Sequence, residues 1–151
     1  MTTIIICDSA AELATYTHLA CDAGLDDVIG FDHPASALDW CADNIPDLVF
    51  VDYLMRATDG LEVIHRLRAM NAMREIPIVL MLPHGFESVT ARGWRYGATD
   101  FLSKPADPIE FLARSRNLLA LRAARKALQQ VRGAPPARGA DAEFATGLHV
   151  H

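Results

Sequence analysis

The chain has 151 residues, a length that predicts a single domain with at most a short tail. Hydrophobic residues make up 51% and charged residues 22%, so the chain can bury a core, and extensive disorder is excluded. The formal net charge of −5 argues against direct nucleic-acid binding, which needs a dominant positive field.

Neither a membrane span nor a secretory signal is predicted. No apolar run approaches the roughly 18 residues that a span needs, and no basic segment precedes the first apolar run. The three cysteines are sparse and lack the spacing of a disulfide or zinc framework. We therefore expect a cytoplasmic chain with reduced thiols.

Short β-type runs alternate with helical patterns along the chain. The predicted strands are Thr3–Cys7, Asp27–Phe31, Asp47–Val51, Pro77–Leu82 and Thr99–Leu102. The predicted helices begin near Ser9, Pro34, Gly60, Phe86 and Asp107, and Ser9 with Glu12 forms a capping box at the first of them. This alternation predicts an α/β fold of the (βα)5 type, a doubly wound parallel sheet with helices on both faces.

The last helix is expected to extend beyond the domain. We predict a domain over residues 1–121, a helical extension over 122–131 and a mostly disordered tail over 132–151, where proline and glycine replace the helical pattern. A seam of residues at heptad spacing suits a homodimer contact or a signalling helix; its members are Asn117, Leu121, Ala124, Leu128 and Val131. The basic residues beside them, Arg122, Arg125 and Lys126, are expected on a solvated face rather than on nucleic acid.

Charged residues follow several of the predicted strands. In a parallel sheet the carboxyl ends of the strands share one edge, where ligands bind, so Asp8, Asp52 and Lys104 are expected to meet there. Two carboxylates suit Mg²⁺, a carboxylate can attack phosphorus, and an ammonium can neutralise phosphoryl charge. The central position of Asp52 favours it as nucleophile, with Asp8 as metal ligand and Lys104 as phosphate clamp.

Four segments in order resemble the receiver domain of bacterial two-component response regulators; they are Ile4–Ser9, Pro46–Met55 with Asp59 and Gly60 after it, Ile76–Met81 and Gly97–Pro105. The resemblance implies a flavodoxin-like strand order 2-1-3-4-5 and phosphorylation of Asp52 by a histidine kinase or phosphotransfer protein. It implies a Mg²⁺ site formed by Asp8, Asp52 and the Leu54 carbonyl, and a cis bond between Lys104 and Pro105. Phe101 stands where the family has a switch aromatic, although we expect it to be simply core.

The segment Arg116–Leu121 resembles the junction found before cyclic-di-GMP phosphodiesterase effectors of the HD-GYP type. No effector follows in this sequence, so a stand-alone receiver and a fragment of a longer protein both remain open. The family relays its signal through the face made by helix four, strand five and helix five, which is a second candidate for a homodimer contact.

Four positions depart from the family pattern. Cys7 replaces an acidic residue, and we expect it to be a small buried side chain rather than a redox sensor. Leu82 replaces a switch Thr or Ser, Pro83 has no N–H to give the phosphoryl group, and Arg56 replaces a loop proline. Each lost charge-assisted hydrogen bond is worth roughly 1.5–3 kcal/mol, so phosphorylation of Asp52 is expected to be slow, weakly stabilised or absent.

The leading hypothesis is thus a non-enzymatic, Mg²⁺-assisted receiver module. The alternative is a phosphorylation-independent pseudo-receiver that acts by dimerisation or protein binding. A Mg²⁺-dependent phosphatase is a weaker third candidate, because Leu54 offers no general acid or base two residues after Asp52.

Overall fold

A computed structural model describes residues 1–133, which form a five-stranded sheet with five α-helices. The strands are β1 (Thr2–Ile6), β2 (Asp27–Phe31), β3 (Leu48–Asp52), β4 (Ile78–Pro83) and β5 (Asp100–Lys104). The helices are α1 (Ala10–Asp22), α2 (Pro34–Asp43), α3 (Gly60–Arg68), α4 (Thr90–Tyr96) and α5 (Pro108–Gly133). Short 3₁₀ turns lie at Asn71–Met73 and Glu87–Val89.

The strands are parallel and lie in the order β2-β1-β3-β4-β5, which confirms the predicted flavodoxin-like fold. Two hydrophobic clusters hold the layers together. One contains Ile4, Val51 and Leu80 with residues of α2 and α3, and the other contains Phe50 and Phe111 with residues of α1 and α5. Apolar residues on both sides of each central strand explain why these strands read as continuous hydrophobic runs.

Strand pairing shifts the predicted strand ends. β1 stops one residue before Cys7, whereas β3, β4 and β5 reach Asp52, Pro83 and Lys104. The extra residues are ordered by their neighbours, because Asp52 lies opposite Met81 and Pro83 lies opposite Lys104. The site residues are therefore the last residues of strands, a rigid position rather than a loop.

The prediction of one helix over Phe86–Tyr96 is wrong in its first half, where the chain forms the 3₁₀ turn. Gly93, which weakens a helix interior, stands where α4 meets the sheet. A Cβ atom on it would lie 2.5 Å from Cε1 of Phe101. The glycine thus makes room for the aromatic ring beneath α4.

Helix α5 continues without interruption to Gly133, two residues beyond the predicted end at Val131. The predicted tail is therefore helical at its first two positions, and the rest of it, residues 134–151, lies outside the described residues. Leu128 and Val131 of the heptad pattern are exposed on α5. Among the described helices, none is long and apolar enough to cross a membrane.

The prediction of a solvated basic face on α5 is wrong for Arg122. Its Nε donates to Oδ1 of Asp47 at 3.0 Å and both residues are buried, while Arg125 donates to the Glu75 carbonyl oxygen at 2.8 Å. Burial opposes ionisation of Asp47, but hydrogen bonds from the Thr2 N–H and Arg122 outweigh it and lower its pKa. The first turn of the extension is thus anchored to the segments that lead into β3 and β4.

Candidate functional site

An ion pair joins the ends of β3 and β5 at the carboxyl edge of the sheet. Lys104 Nζ lies 2.9 Å from Oδ1 and 3.0 Å from Oδ2 of Asp52. The Asp52 residue is only 1% exposed. The two side chains therefore contact each other, as the sequence predicted, and the ammonium contacts both oxygens of the candidate nucleophile.

Glu12 is a member of this cluster that the sequence interpretation missed. Its Oε1 lies 2.7 Å from Lys104 Nζ. The predicted cap is confirmed in part, since Ser9 Oγ accepts from the Glu12 N–H at 3.3 Å, but the Glu12 carboxylate turns to Lys104. The available signal was its position in the first turn of α1, directly after β1 ends at the same edge.

Burial and the mutual contacts of Asp52, Lys104 and Glu12 shift the pKa values within this cluster. Burial raises the pKa of Asp52, and the hydrogen bond from Lys104 only partly offsets this. Burial disfavours the Lys104 charge, yet the hydrogen bonds to Glu12 and Asp52 outweigh it and raise its pKa. Lys104 therefore stays charged at neutral pH, and its ammonium favours the ionised form of Asp52 against the effect of burial.

Cys7 covers the other side of Asp52. Its thiol donates to Asp52 Oδ2 at 3.4 Å, and the residue is fully buried, as expected of a small core side chain. Burial is the main reason that the pKa of Cys7 rises to about 12. Ligand atoms of Cys7, Glu12 and Asp52 lie within 4.8 Å of one another, but the Lys104 ammonium already bonds two of these residues.

Asp8 lies at the same edge but does not join this cluster. Its Oδ2 accepts from the Arg56 backbone N–H at 2.5 Å and from Arg56 Nε at 3.3 Å. Asp8 lines a depression with Arg56 and Asp32, whereas Lys104 lines another depression with Glu12. The structure thus shows the contact between Asp52 and Lys104, whereas the Asp8 carboxylate contacts Arg56, and that Asp8 shares a pocket with the other two stays a prediction.

The remaining site positions lie in the β3–α3 loop and at the end of β4. Leu54 forms an isolated bridge with Asp59, and its side chain is half exposed. Leu82 is 5% exposed and packs in the core, and Pro83 ends β4 beside Lys104. The bond from Lys104 to Pro105 is cis, as the resemblance implied.

Phe101 packs against the core, as we expected. Its ring meets the Trp94 ring edge-on, with the centroids 4.7 Å apart, and lies under Gly93. Trp94 itself is 56% exposed on α4. The ring is therefore held between β5 and α4.

The sequence matches the response regulator receiver domain family over residues 4–116. It is 41% identical over 103 residues to the cyclic di-GMP phosphodiesterase response regulator RpfG of Xanthomonas campestris, which covers 68% of this chain and 27% of that protein. It is 28% identical over 117 residues to the phosphate regulon transcriptional regulatory protein PhoB of Pseudomonas aeruginosa, which covers 78% of this chain and 51% of that protein. The chain thus spans about a quarter to a half of these relatives' lengths.

Solved structures agree on the fold. The chemotaxis protein CheY4 of Vibrio cholerae superposes with a TM-score of 0.72 at 22% identity, covering 78% of this chain and 97% of that one. The receiver domain of NtrX from Brucella abortus gives a TM-score of 0.71 at 22% identity, with 78% and 98% covered. The family match over most of the described residues shows that the chain belongs to the response regulator receiver domain family of two-component signalling.

Proposed function

We propose that Asp52 accepts a phosphoryl group from a histidine kinase or a phosphotransfer protein. The observation that carries this proposal is the contact of both Asp52 oxygens with Lys104 Nζ, at 2.9 and 3.0 Å. The carboxylate is held on a strand end, and a single fixed ammonium stands where charge develops on a transferring phosphoryl group. An acceptor and a clamp are thus already in contact.

The donor chemistry at this edge fits a Mg²⁺ ion. The carboxylates of Asp8 and Asp52 and the backbone carbonyl of Leu54 are the hard oxygen ligands that Mg²⁺ prefers. The Cys7 thiol is a poor ligand for it, because its pKa of about 12 keeps it protonated. When bound, the ion would neutralise charge on the phosphoryl oxygens.

The remaining steps belong to the chain's own residues. An Asp52 oxygen attacks the phosphorus, the bond to the donor nitrogen breaks, and an acyl phosphate forms on Asp52. The Lys104 ammonium, which contacts the Asp52 carboxylate before the transfer, then donates to the phosphoryl oxygens as negative charge develops on them. Leu82 and Pro83 cannot donate a hydroxyl or an N–H to those oxygens, so we expect slow transfer and a weakly stabilised product.

The test is intact-mass measurement after incubation with phosphoramidate and Mg²⁺. The expected result is a slow gain of one phosphoryl group, absent from D52N and reduced in K104M. Rapid stoichiometric phosphorylation would refute the proposed weakness of the site. A gain that persists in D52N would refute the acceptor itself.

A phosphorylation-independent interaction module is the second candidate, and it is favoured by the two lost donors. Leu82 is 5% exposed in the core, so it leaves no polar group for a switch at the end of β4. Size-exclusion chromatography with and without beryllofluoride separates the candidates. A change of oligomeric state on adding the phosphoryl mimic supports the receiver, and an unchanged dimer supports the second candidate.

We further propose that the domain acts in the cytoplasm, without catalytic turnover and without direct contact to nucleic acid. The family match and the net charge of −5 support these expectations.

A homodimer would use the α4-β5-α5 face or the extension of α5. Exposed Trp94 and Ile109 on the face, and exposed Leu128 and Val131 on the extension, supply apolar surface for such contacts.

A further inference from the structure

Arg56, in the loop after β3, makes three hydrogen bonds to Asp8. Its backbone N–H and its Nε donate to Asp8 Oδ2 at 2.5 and 3.3 Å, and its Nη2 donates to the Asp8 carbonyl oxygen at 2.9 Å. A guanidinium with two donors on one residue has a defined position rather than a general attraction to an acidic surface. The loop and the end of β1 are thereby tied together.

The two partners differ in exposure. The Arg56 side chain is 86% exposed, while the Asp8 side chain is 15% exposed. The guanidinium therefore covers a mostly buried carboxylate from the solvent side, which is the side from which a hydrated cation would approach. Because the Arg56 side chain is long and solvent-exposed, its guanidinium can move away from Asp8 at a small cost in free energy.

Positive charge at this edge is divided between two residues. Lys104 is paired with Asp52 and Glu12, and Arg56 is paired with Asp8. One of the two carboxylates that the resemblance assigns to the metal, Asp8, is thus the one that holds the arginine. A divalent cation and a guanidinium cannot share the same carboxylate oxygen without strong repulsion.

We propose that Arg56 is a tethered cation that competes with Mg²⁺ for Asp8 and thereby sets the ion concentration at which the site is loaded. This inference rests on the proposed function, because it takes Asp8 as a metal ligand. The backbone N–H of Arg56 orients Asp8 whether or not the guanidinium is present. The side chain therefore acts through its charge, and removing that charge leaves Asp8 available to the ion.

Isothermal titration calorimetry of Mg²⁺ binding to the full chain tests the competition. R56M keeps the backbone N–H and removes the charge, and R56K keeps the charge on a flexible stem. R95M is the matched control, because Arg95 lies in the last turn of α4, whose C-terminal end lies at the opposite edge of the sheet. D8N removes the contested carboxylate.

R56M is expected to bind Mg²⁺ about twofold to fivefold more tightly than the wild type, the range for one exposed ion pair. R56K and R95M should stay near the wild-type dissociation constant, and D8N should lose most binding. Equal or weaker binding by R56M overturns the competition while the receiver function stands. If neither the wild type nor R56M binds Mg²⁺, the competition and the proposed metal site both fall.

Discussion

Replacing Leu82 by Thr and Pro83 by Ala would return a hydroxyl and a backbone N–H to the end of β4. Both positions adjoin the acceptor, since β4 residue Met81 lies opposite Asp52 and Pro83 lies opposite Lys104. Each donor to a phosphoryl oxygen is worth about 1.5–3 kcal/mol. Two donors at the lower value, about 3 kcal/mol, correspond to an increase of about 100-fold in rate.

The same change should weaken the fold, which separates the two effects. Leu82 is 5% exposed in the core, and large-to-small core substitutions cost about 2–5 kcal/mol of unfolding free energy. L80T is the matched control, because Leu80 is fully buried and faces the same side of β4. It should destabilise the domain to a similar degree without any gain in phosphorylation.

The assay is the initial rate of phosphoryl gain from phosphoramidate, followed by intact mass, with urea unfolding measured on the same samples. L82T/P83A should be phosphorylated faster than the wild type and unfold at lower urea. A folded double variant with a wild-type rate would refute the view that the two missing donors limit the site.

Two further predictions concern stability and thiol chemistry. R122M should lose about 3–5 kcal/mol of unfolding free energy near pH 7, because Asp47 stays buried without its partner. The pKa of Asp47 is lowered from 3.8, so the stability that it contributes is present above pH 3.8 and is lost as the pH falls through its folded value. Urea unfolding should therefore show a smaller difference between R122M and the wild type below about pH 4, and a constant difference would contradict the pairing. Iodoacetamide should label exposed Cys21 in the native protein, whereas Cys7, with a pKa near 12, should react only after unfolding; equal labelling rates would count against its burial.

The sequence could predict the contacts that follow from strand geometry. Alternation of strands and helices places Asp52 and Lys104 at one edge, and the structure brings them within 3.0 Å. The sequence predicted that Asp8 lies at this edge, but it did not predict that Arg56 is the residue that Asp8 contacts. The backbone course of the loop after β3 decides where Arg56 lies, and no periodic pattern encodes that course.

The Asp47–Arg122 pair was unpredictable for a different reason. The two residues are separated by 75 positions, and Arg122 lies among other basic residues on a helix that is polar on that side. Such a pattern is typical of a solvated face, and only the packing of α5 against the start of β3 shows that one arginine is buried. Glu12 was recognised as a cap, but a cap pattern does not indicate where the carboxylate points.

The central claim, that Asp52 and Lys104 form a phosphoryl site, is tested most directly by fluorine NMR of beryllofluoride with Mg²⁺. The expected result is a bound fluorine signal that requires Mg²⁺, is lost in D52N and is weakened in K104M. A wild-type domain that stays folded and gives no bound signal would contradict the phosphoryl site.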